Sequence, residues 1–231
     1  MRIIYFIFFN VLISVLFKAQ DNPEDLLKMV EEPQKKEFTS STFKTTRLVN
    51  FHTSEVLNRR SLDFRIAHRF GDINSGAYNA WGIDGGANIR LALEYSHDGR
   101  FMFGIGRTSS KKIVDGFMKY QLIRQTTDHS MPISLTLFSG AYNTFEIAQI
   151  SSFNKYQLNI DRLSYCNQLI MARKFNANLS IQLSASMVHF NLVDNLTDDN
   201  TVYIGGIVGR YKITSRQAIT LEYGHRINEY S

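Results

Sequence analysis

The sequence predicts an all-β protein, an antiparallel up-and-down transmembrane β-barrel, on three observations. Apolar and polar residues alternate with period two through nine segments. Beyond the N-terminus no run is long and apolar enough to span a membrane as a helix. The polar face of the alternating segments is built of Ser, Thr, Gly, Ala and Gln with scattered charges, where a water-facing surface usually carries more Lys and Glu.

The chain opens with "MRIIYFIFFNVLISVLFKAQ": Arg2, an apolar run from Ile3 to Phe17, then Ala19 before a polar stretch. A basic start, an apolar centre and a small residue near the cut are the layout of a secretory signal peptide, with cleavage after Ala19 or Gln20. A membrane anchor is the competing reading; the run of roughly 15 residues falls short of the about 20 a spanning helix needs. The expected organisation is a signal peptide over 1–20, a lead-in over 21–60 and a barrel over 61–231. A single cysteine, Cys166, excludes an intramolecular disulfide framework. The formal charge of +5 is spread through alternating segments with only short pairs such as Lys111-Lys112, so no stripe for nucleic acid exists.

The alternation runs as follows. In 61–70, Leu62, Phe64, Ile66, His68 and Phe70 share one face and Asp63, Arg65, Ala67 and Arg69 the other. In 88–96, Ile89, Leu91, Leu93 and Tyr95 oppose Asn88, Arg90, Ala92, Glu94 and Ser96. In 101–108, Phe101, Phe103 and Ile105 oppose Met102, Gly104, Gly106 and Thr108, and the "HDGR" between these two runs is a strong hairpin signal. The pattern recurs at Ile133, Leu135 and Leu137, at Leu179, Ile181 and Leu183, and at Ile219, Leu221 and Tyr223. The nine segments are 61–70, 88–96, 101–109, 116–126, 132–142, 162–173, 178–190, 201–213 and 217–226. Lengths of about 9–11 residues suit a tilted bilayer crossing and exceed the about 5–6 of globular strands. Aromatic residues near strand ends (Phe70, Tyr95, Phe101, Tyr120, Tyr223) fit an interfacial girdle. These features favour apolar side chains facing lipid over the soluble alternative, in which the apolar face points inward.

Connections after segments one, five and seven are long; those after two, six and eight ("HDGR", "KFNA", "TSR") are tight, 127–131 is short and the third is intermediate. Outer-membrane barrels have short periplasmic turns and long extracellular loops, which matches a first strand leaving the periplasm. In this register 42–49 is not an ordinary spanning strand, and 21–60 is expected to be periplasmic or to sit in the lumen, unless 42–49 is a strand whose order the count misses. Bacterial single-chain barrels close with even strand numbers, so nine segments predict at least one strand beyond Ser231 and a complete barrel of about 10–12 strands.

Ordered blocks then carry a resemblance: "EDLLKMVEE", "TFKTTRLVNFHTSEVL", "LDFRIAHRFGDINSGAY", "WGIDGGANIRLALEY", "FGIGRTSSKKIVDGFMKYQLIRQ", "LSYCNQLIMARKF" and "GIVGRYKITSRQAITLEY". The chain resembles the uncharacterised Bacteroidota barrel family catalogued as domain of unknown function 5777, across most of 24–226. The resemblance implies an outer-membrane β-barrel whose members usually continue past this point, and it implies no activity.

Candidate chemistry is sparse. Gly71, Gly76, Gly82, Gly85 and Gly86 lack the G-x-G-x-x-G spacing and the following helix of a dinucleotide loop, and read as a long loop with glycine turns. "FGIGRTSSKK" lacks the G-K-[ST] ending of a P-loop. The six histidines (52, 68, 97, 129, 189 and 225) are scattered without metal-ligand spacing, and His68 and His189 read as interfacial. Ser186, His189 and Asn191 are the nearest thing to a hydrolase set, but Ser186 and His189 have opposite parity, so the expectation is no enzyme, no metal and no cofactor. The lumen-facing candidates are Asp63, Arg65, Arg69, Arg90, Glu94, Lys119, Gln121 and Glu222. Buried charges must be paired or hydrated; a network filling a narrow barrel is favoured over a water channel of mild anion preference. Arg69 and Arg90 flank the first long loop at the rim and are the first residues to mutate for selectivity. The expected function is an outer-membrane barrel, in contact with outer-membrane lipid, giving passive solute passage or a scaffold for periplasmic proteins that dock on 21–60. The alternative is a soluble periplasmic barrel binding an apolar ligand.

Overall fold

Among the described residues nine long strands pair in succession in a single antiparallel meander: β1 (Ser61–Arg69), β2 (Asn88–Ser96), β3 (Phe101–Thr108), β4 (Ile113–Ile123), β5 (Ser134–Thr144), β8 (Leu163–Lys174), β9 (Leu179–Phe190), β10 (Thr201–Lys212) and β11 (Ala218–Arg226). A separate two-residue ladder, β6 (Gln149–Ile150) with β7 (Phe153–Asn154), lies within the β5–β8 connection. The computed structural model describes residues 37–146, 149–150, 153–154, 158–193 and 198–228. The signal-peptide reading of 1–20 and the lead-in up to residue 36 fall outside the described residues.

The sheet is inside out by the standard of a soluble protein. Leu62, Phe64, Ile66, Leu93, Ile105, Leu183 and Leu221 are exposed, while Glu94, Ser96, Lys119, Thr136, Ser180 and Gln182 on the opposite parity are buried. Period two assigns these sets to opposite faces, so the apolar face points outward. Among the described residues no helix is long and apolar enough to cross a membrane, so any crossing falls to the strands.

The three tight connections use one device. In "HDGR" the Asp98 Oδ1 accepts from the amides of Arg100 (2.8 Å) and Phe101 (2.6 Å), and Gly99 takes φ 79°. The Phe101 and Arg100 amides also hold the Asp98 carboxyl below its ordinary value. Asn176 Oδ1 accepts from Asn178 and Leu179 (both 2.8 Å), and Thr214 Oγ1 from Arg216 (3.3 Å) and Gln217 (3.1 Å). A short polar side chain thus stands in for a backbone partner while the chain reverses.

Two strands are displaced by two or three residues from the segments read in the sequence, and the others differ by at most one residue at an end. β4 runs over 113–123 instead of 116–126, and β5 over 134–144 instead of 132–142, so the intervening connection spans 124–133. Residues 124–126 leave the ladder because they have other partners. Phe38 bridges Thr126, Thr39 N donates to Gln125 O (2.8 Å), and the Gln125 side chain exchanges two hydrogen bonds with the Lys174 backbone (2.8 Å each). The glycine-rich stretch 70–87 holds two short 3-10 turns and returns directly into β2. Its base is pinched by Gly71 N donating to Gly82 O (2.8 Å); Gly82 has φ +87°, and a Cβ there would stand 2.5 Å from Gly71 O.

The outward apolar face generates a test. Ile105→Arg, mid-strand on that face, is expected to destabilise the chain in lipid vesicles by about 2–4 kcal/mol, the cost of a cation at bilayer depth. On a protein surface in water the same exposed substitution changes stability by about 0.5 kcal/mol or less. Urea titration in vesicles reads the difference, and a near-neutral effect contradicts a lipid-facing surface.

Candidate functional site

The polar face of the sheet holds a segment of the chain's own N-terminal region. Residues 38–60 form a re-entrant hairpin: Arg47 bridges His52, Thr53 N donates to Thr46 O (3.1 Å) and Leu48 N to Phe51 O (2.9 Å). Both limbs start at the end of the sheet with the tight turns, where Phe38 bridges Thr126, Lys174 Nζ donates to Ser40 O (2.8 Å) and Ser61 opens β1. The tip reaches the other way. Arg69 at the end of β1 donates to Val49 O, while Asn50 donates twice to Glu222 Oε1 on β11 (2.8 and 2.7 Å). Adjacent residues of the hairpin therefore tie the first and last strands, so the sheet curls around it although β1 and β11 do not pair.

An irregular backbone in a dry interior leaves carbonyls and amides that must find partners. Wall side chains supply them. Lys119, fully buried, donates to the carbonyls of Thr46 (2.7 Å), Thr53 (3.1 Å) and Glu55 (3.0 Å). Gln182 accepts from Ser54 N (3.0 Å) and donates to His52 O (2.9 Å). Gln121 and Thr136 both donate to Ser54 O (3.2 Å each). The apolar residues of the hairpin meet the few apolar side chains on the inner face. Phe43 and Phe51 pack with Ala172 and Val208, and Val56 and Leu57 against Met102, Phe117, Phe138 and Ile170. Gly206 and Gly224, cross-strand partners, make room for Phe51, whose ring lies 2.7 and 2.8 Å from where their Cβ atoms would stand.

The charges form a chain along the wall. Arg65 contacts Asp63 (3.1 Å), Glu94 (3.3 Å) and Thr46 Oγ1 (2.8 Å). Arg90 lies over Gly106 of β3, where a side chain would strike its guanidinium at 2.5 Å, and so reaches Asp115 on β4 in two hydrogen bonds (2.9 and 2.5 Å). Its Nη1 stands 3.8 Å from Glu94 Oε1. His52 stacks on Phe138 (3.9 Å between centroids), and its Nε2 accepts from Arg47 (2.6 and 3.1 Å). Burial first, then the charges of Lys119 (β4), Arg47, Arg90 (β2) and Arg65 (β1) facing it, hold its imidazole well below the ordinary 6.5.

The eight sequence candidates thus lie on the polar parity as follows. Arg65, Arg90, Glu94, Lys119, Gln121 and Glu222 meet the hairpin or one another, Asp63 pairs Arg65, and Arg69 holds the tip. Missed were Asp115, which fell outside the segment drawn from 116, and the hairpin's own Arg47, Phe51 and His52. Ser186 is buried on the inner face, whereas His189 Nδ1 is bonded to Thr201 Oγ1 (2.8 Å). Among the described residues no group of three or more His, Cys, Asp or Glu is placed to hold a metal ion.

The family model described as "Membrane bound beta barrel domain (DUF5777)" matches residues 43–231. The chain belongs to this family. The matched span begins at Phe43, so it takes in most of the hairpin as well as all nine strands, while "EDLLKMVEE" lies outside it. No curated protein and no solved structure matches the chain. The family places the outward apolar face against a membrane, and nothing favours the soluble alternative.

His52 generates the next prediction. Its folded-state affinity for protons is depressed, so below the ordinary value the unfolded chain binds more protons and stability falls with pH. Below about pH 6.5 the slope contributed by this single group approaches about 1.4 kcal/mol per pH unit. Unfolding midpoints at about pH 5 and about pH 8 in wild type and His52→Gln test this: the variant is expected to lose part of the pH dependence, and parallel profiles contradict it.

Proposed function

We propose that this protein is an outer-membrane β-barrel closed by its own N-proximal hairpin, acting as a non-enzymatic scaffold for periplasmic proteins and not as an open passive pore. The observation that carries this reading is the occupied interior: 38–60 hydrogen-bonds to wall residues on β1, β2, β4, β5, β8, β9 and β11. The signal-like leader over 1–20 supports export. The loop lengths support orientation: the tight turns lie at the end where the chain enters at Phe38, which in outer-membrane barrels is the periplasmic side. On this reading residues 21–37, which precede the hairpin in the sequence, are the docking segment, and the barrel's other partner is outer-membrane lipid.

Planar-bilayer recordings test it. Wild-type full chain is expected to show no steady conductance. Gly206→Val, which puts methyl groups where the Phe51 ring lies, is expected to unseat the hairpin tip and give channel openings. Steady wild-type conductance matching that of the variant contradicts the closed reading.

A further inference from the structure

At the tip of the hairpin a cavity of about 550 Å³ lies between the segment and the strands β1, β2, β3 and β11, lined by Arg47, Arg69, Asn88, Arg90, Thr108 and Glu222 among others. Three guanidiniums share it, and their local compensation is incomplete. Arg47 hydrogen-bonds to the imidazole of His52 and lies 5.9 Å from the Phe117 ring centroid, with no carboxylate at ion-pair distance among the described residues. Burial, and then the neighbouring Arg90 charge, lower the pKa of Arg47, as expected of a cation lacking a close counter-ion. Arg69 contacts the Val49 carbonyl, again with no carboxylate at ion-pair distance among the described residues. Arg90 is 9% exposed and spends its Nε and Nη2 on Asp115, while its Nη1 stands in an ion pair 3.8 Å from Glu94 Oε1, beyond hydrogen-bond distance. One carboxylate, Glu222, is in the lining; its Oε1 accepts from Asn50 and its Oε2 has no hydrogen-bond partner among the described residues, so it offsets one of the three guanidinium charges. Arg47 and Arg69, two guanidiniums on one cavity with no carboxylate at ion-pair distance among the described residues, leave an excess of positive charge there that favours an anionic occupant.

We propose that this cavity is a binding site for a phosphate oxyanion, in which Arg47 of the hairpin and Arg69 and Arg90 of the wall contact one ligand. Guanidinium forks and phosphate oxygens match in geometry as well as charge. The volume falls in the range of small-molecule sites, about 300–1,000 Å³, so the oxyanion belongs to a small phosphorylated solute or to a lipid headgroup entering at the mouth. Bridging hairpin to wall, the ligand also pins the tip. The site rests on the hairpin being seated, since Arg47 forms one of its walls, and it stands whether or not the barrel conducts.

The test is calorimetric titration of inorganic phosphate into the full chain in non-ionic detergent, at constant ionic strength set with chloride. Saturable binding is expected, weakened about tenfold or more in Arg69→Gln by loss of a charge-assisted contact. Arg216→Gln, in the turn 213–217 and not among the residues that line the cavity, is expected to bind as wild type. Thr108→Val removes a hydroxyl of the lining with little change of shape and is expected to weaken binding by a smaller factor, so a folding defect at Arg69 does not decide the matter. Repeating the titration with anionic against zwitterionic phospholipid in the micelles separates the sources: competition by anionic lipid assigns a headgroup, and its absence assigns a free solute. No saturable binding, or binding that Arg69→Gln and Thr108→Val leave unchanged, overturns the proposal. Conductance is a separate reading, so failure here leaves the closed-barrel assignment standing.

Discussion

The structure turns on the need of a buried, irregular backbone for hydrogen-bond partners. The hairpin 38–60 forms no strand with the sheet, so its carbonyls lie in a water-poor interior without a ladder to pair with. The wall meets that need with long polar side chains, above all Lys119, whose three ammonium donors go to three hairpin carbonyls from both limbs. A fully buried lysine is costly on its own. Here its neighbours are carbonyl dipoles, with Glu94 held close by Arg65 and Arg90. Removing the hairpin would leave Lys119, Gln121, Thr136 and Gln182 as unpaired donors and acceptors along the inner face. Barrel and hairpin are therefore two halves of one polar core.

Small residues on the inner face follow from the same constraint. Gly104 faces the Phe117 ring and Gly106 the Arg90 guanidinium, while Gly206 and Gly224 face Phe51; in each place a Cβ would stand within 3 Å of the occupant. The interior is narrow enough that one methyl group decides what fits. Bulk is supplied instead by a few aromatic and aliphatic residues at inward positions, and these are where the hairpin's Phe43, Phe51, Val56 and Leu57 settle.

Much of this was legible in the sequence. Alternation in a chain with a small-residue polar face gave the inside-out sheet, and the nine strands lie where the period-two runs are. The inward charges were identifiable because parity is strict: Arg90 and Glu94 are separated by four, Arg65 and Asp63 by two. The edges of β4 and β5 were not legible, because Gln125 and Thr126 continue a plausible strand and leave it for tertiary partners, Thr39 and Phe38. The hairpin itself was open to reading as periplasmic or lumen-resident, since 42–49 has no partner identifiable from local pattern. One signal was present and unused. Phe117, Phe138, Ile170 and Val208 interrupt the polar parity, and apolar groups on the inner face of a barrel call for something apolar to cover them.

Hydrogen–deuterium exchange of the hairpin amides, with the full chain folded in lipid, tests the central claim most directly. The account predicts that the amides of Leu48, Thr53 and Ser54, bonded to Phe51 O, Thr46 O and Gln182 Oε1, exchange as slowly as those of the flanking strands β2 and β9. Exchange of these amides at the rate of an unstructured tail, while the strands stay protected, would contradict a barrel built around its own hairpin.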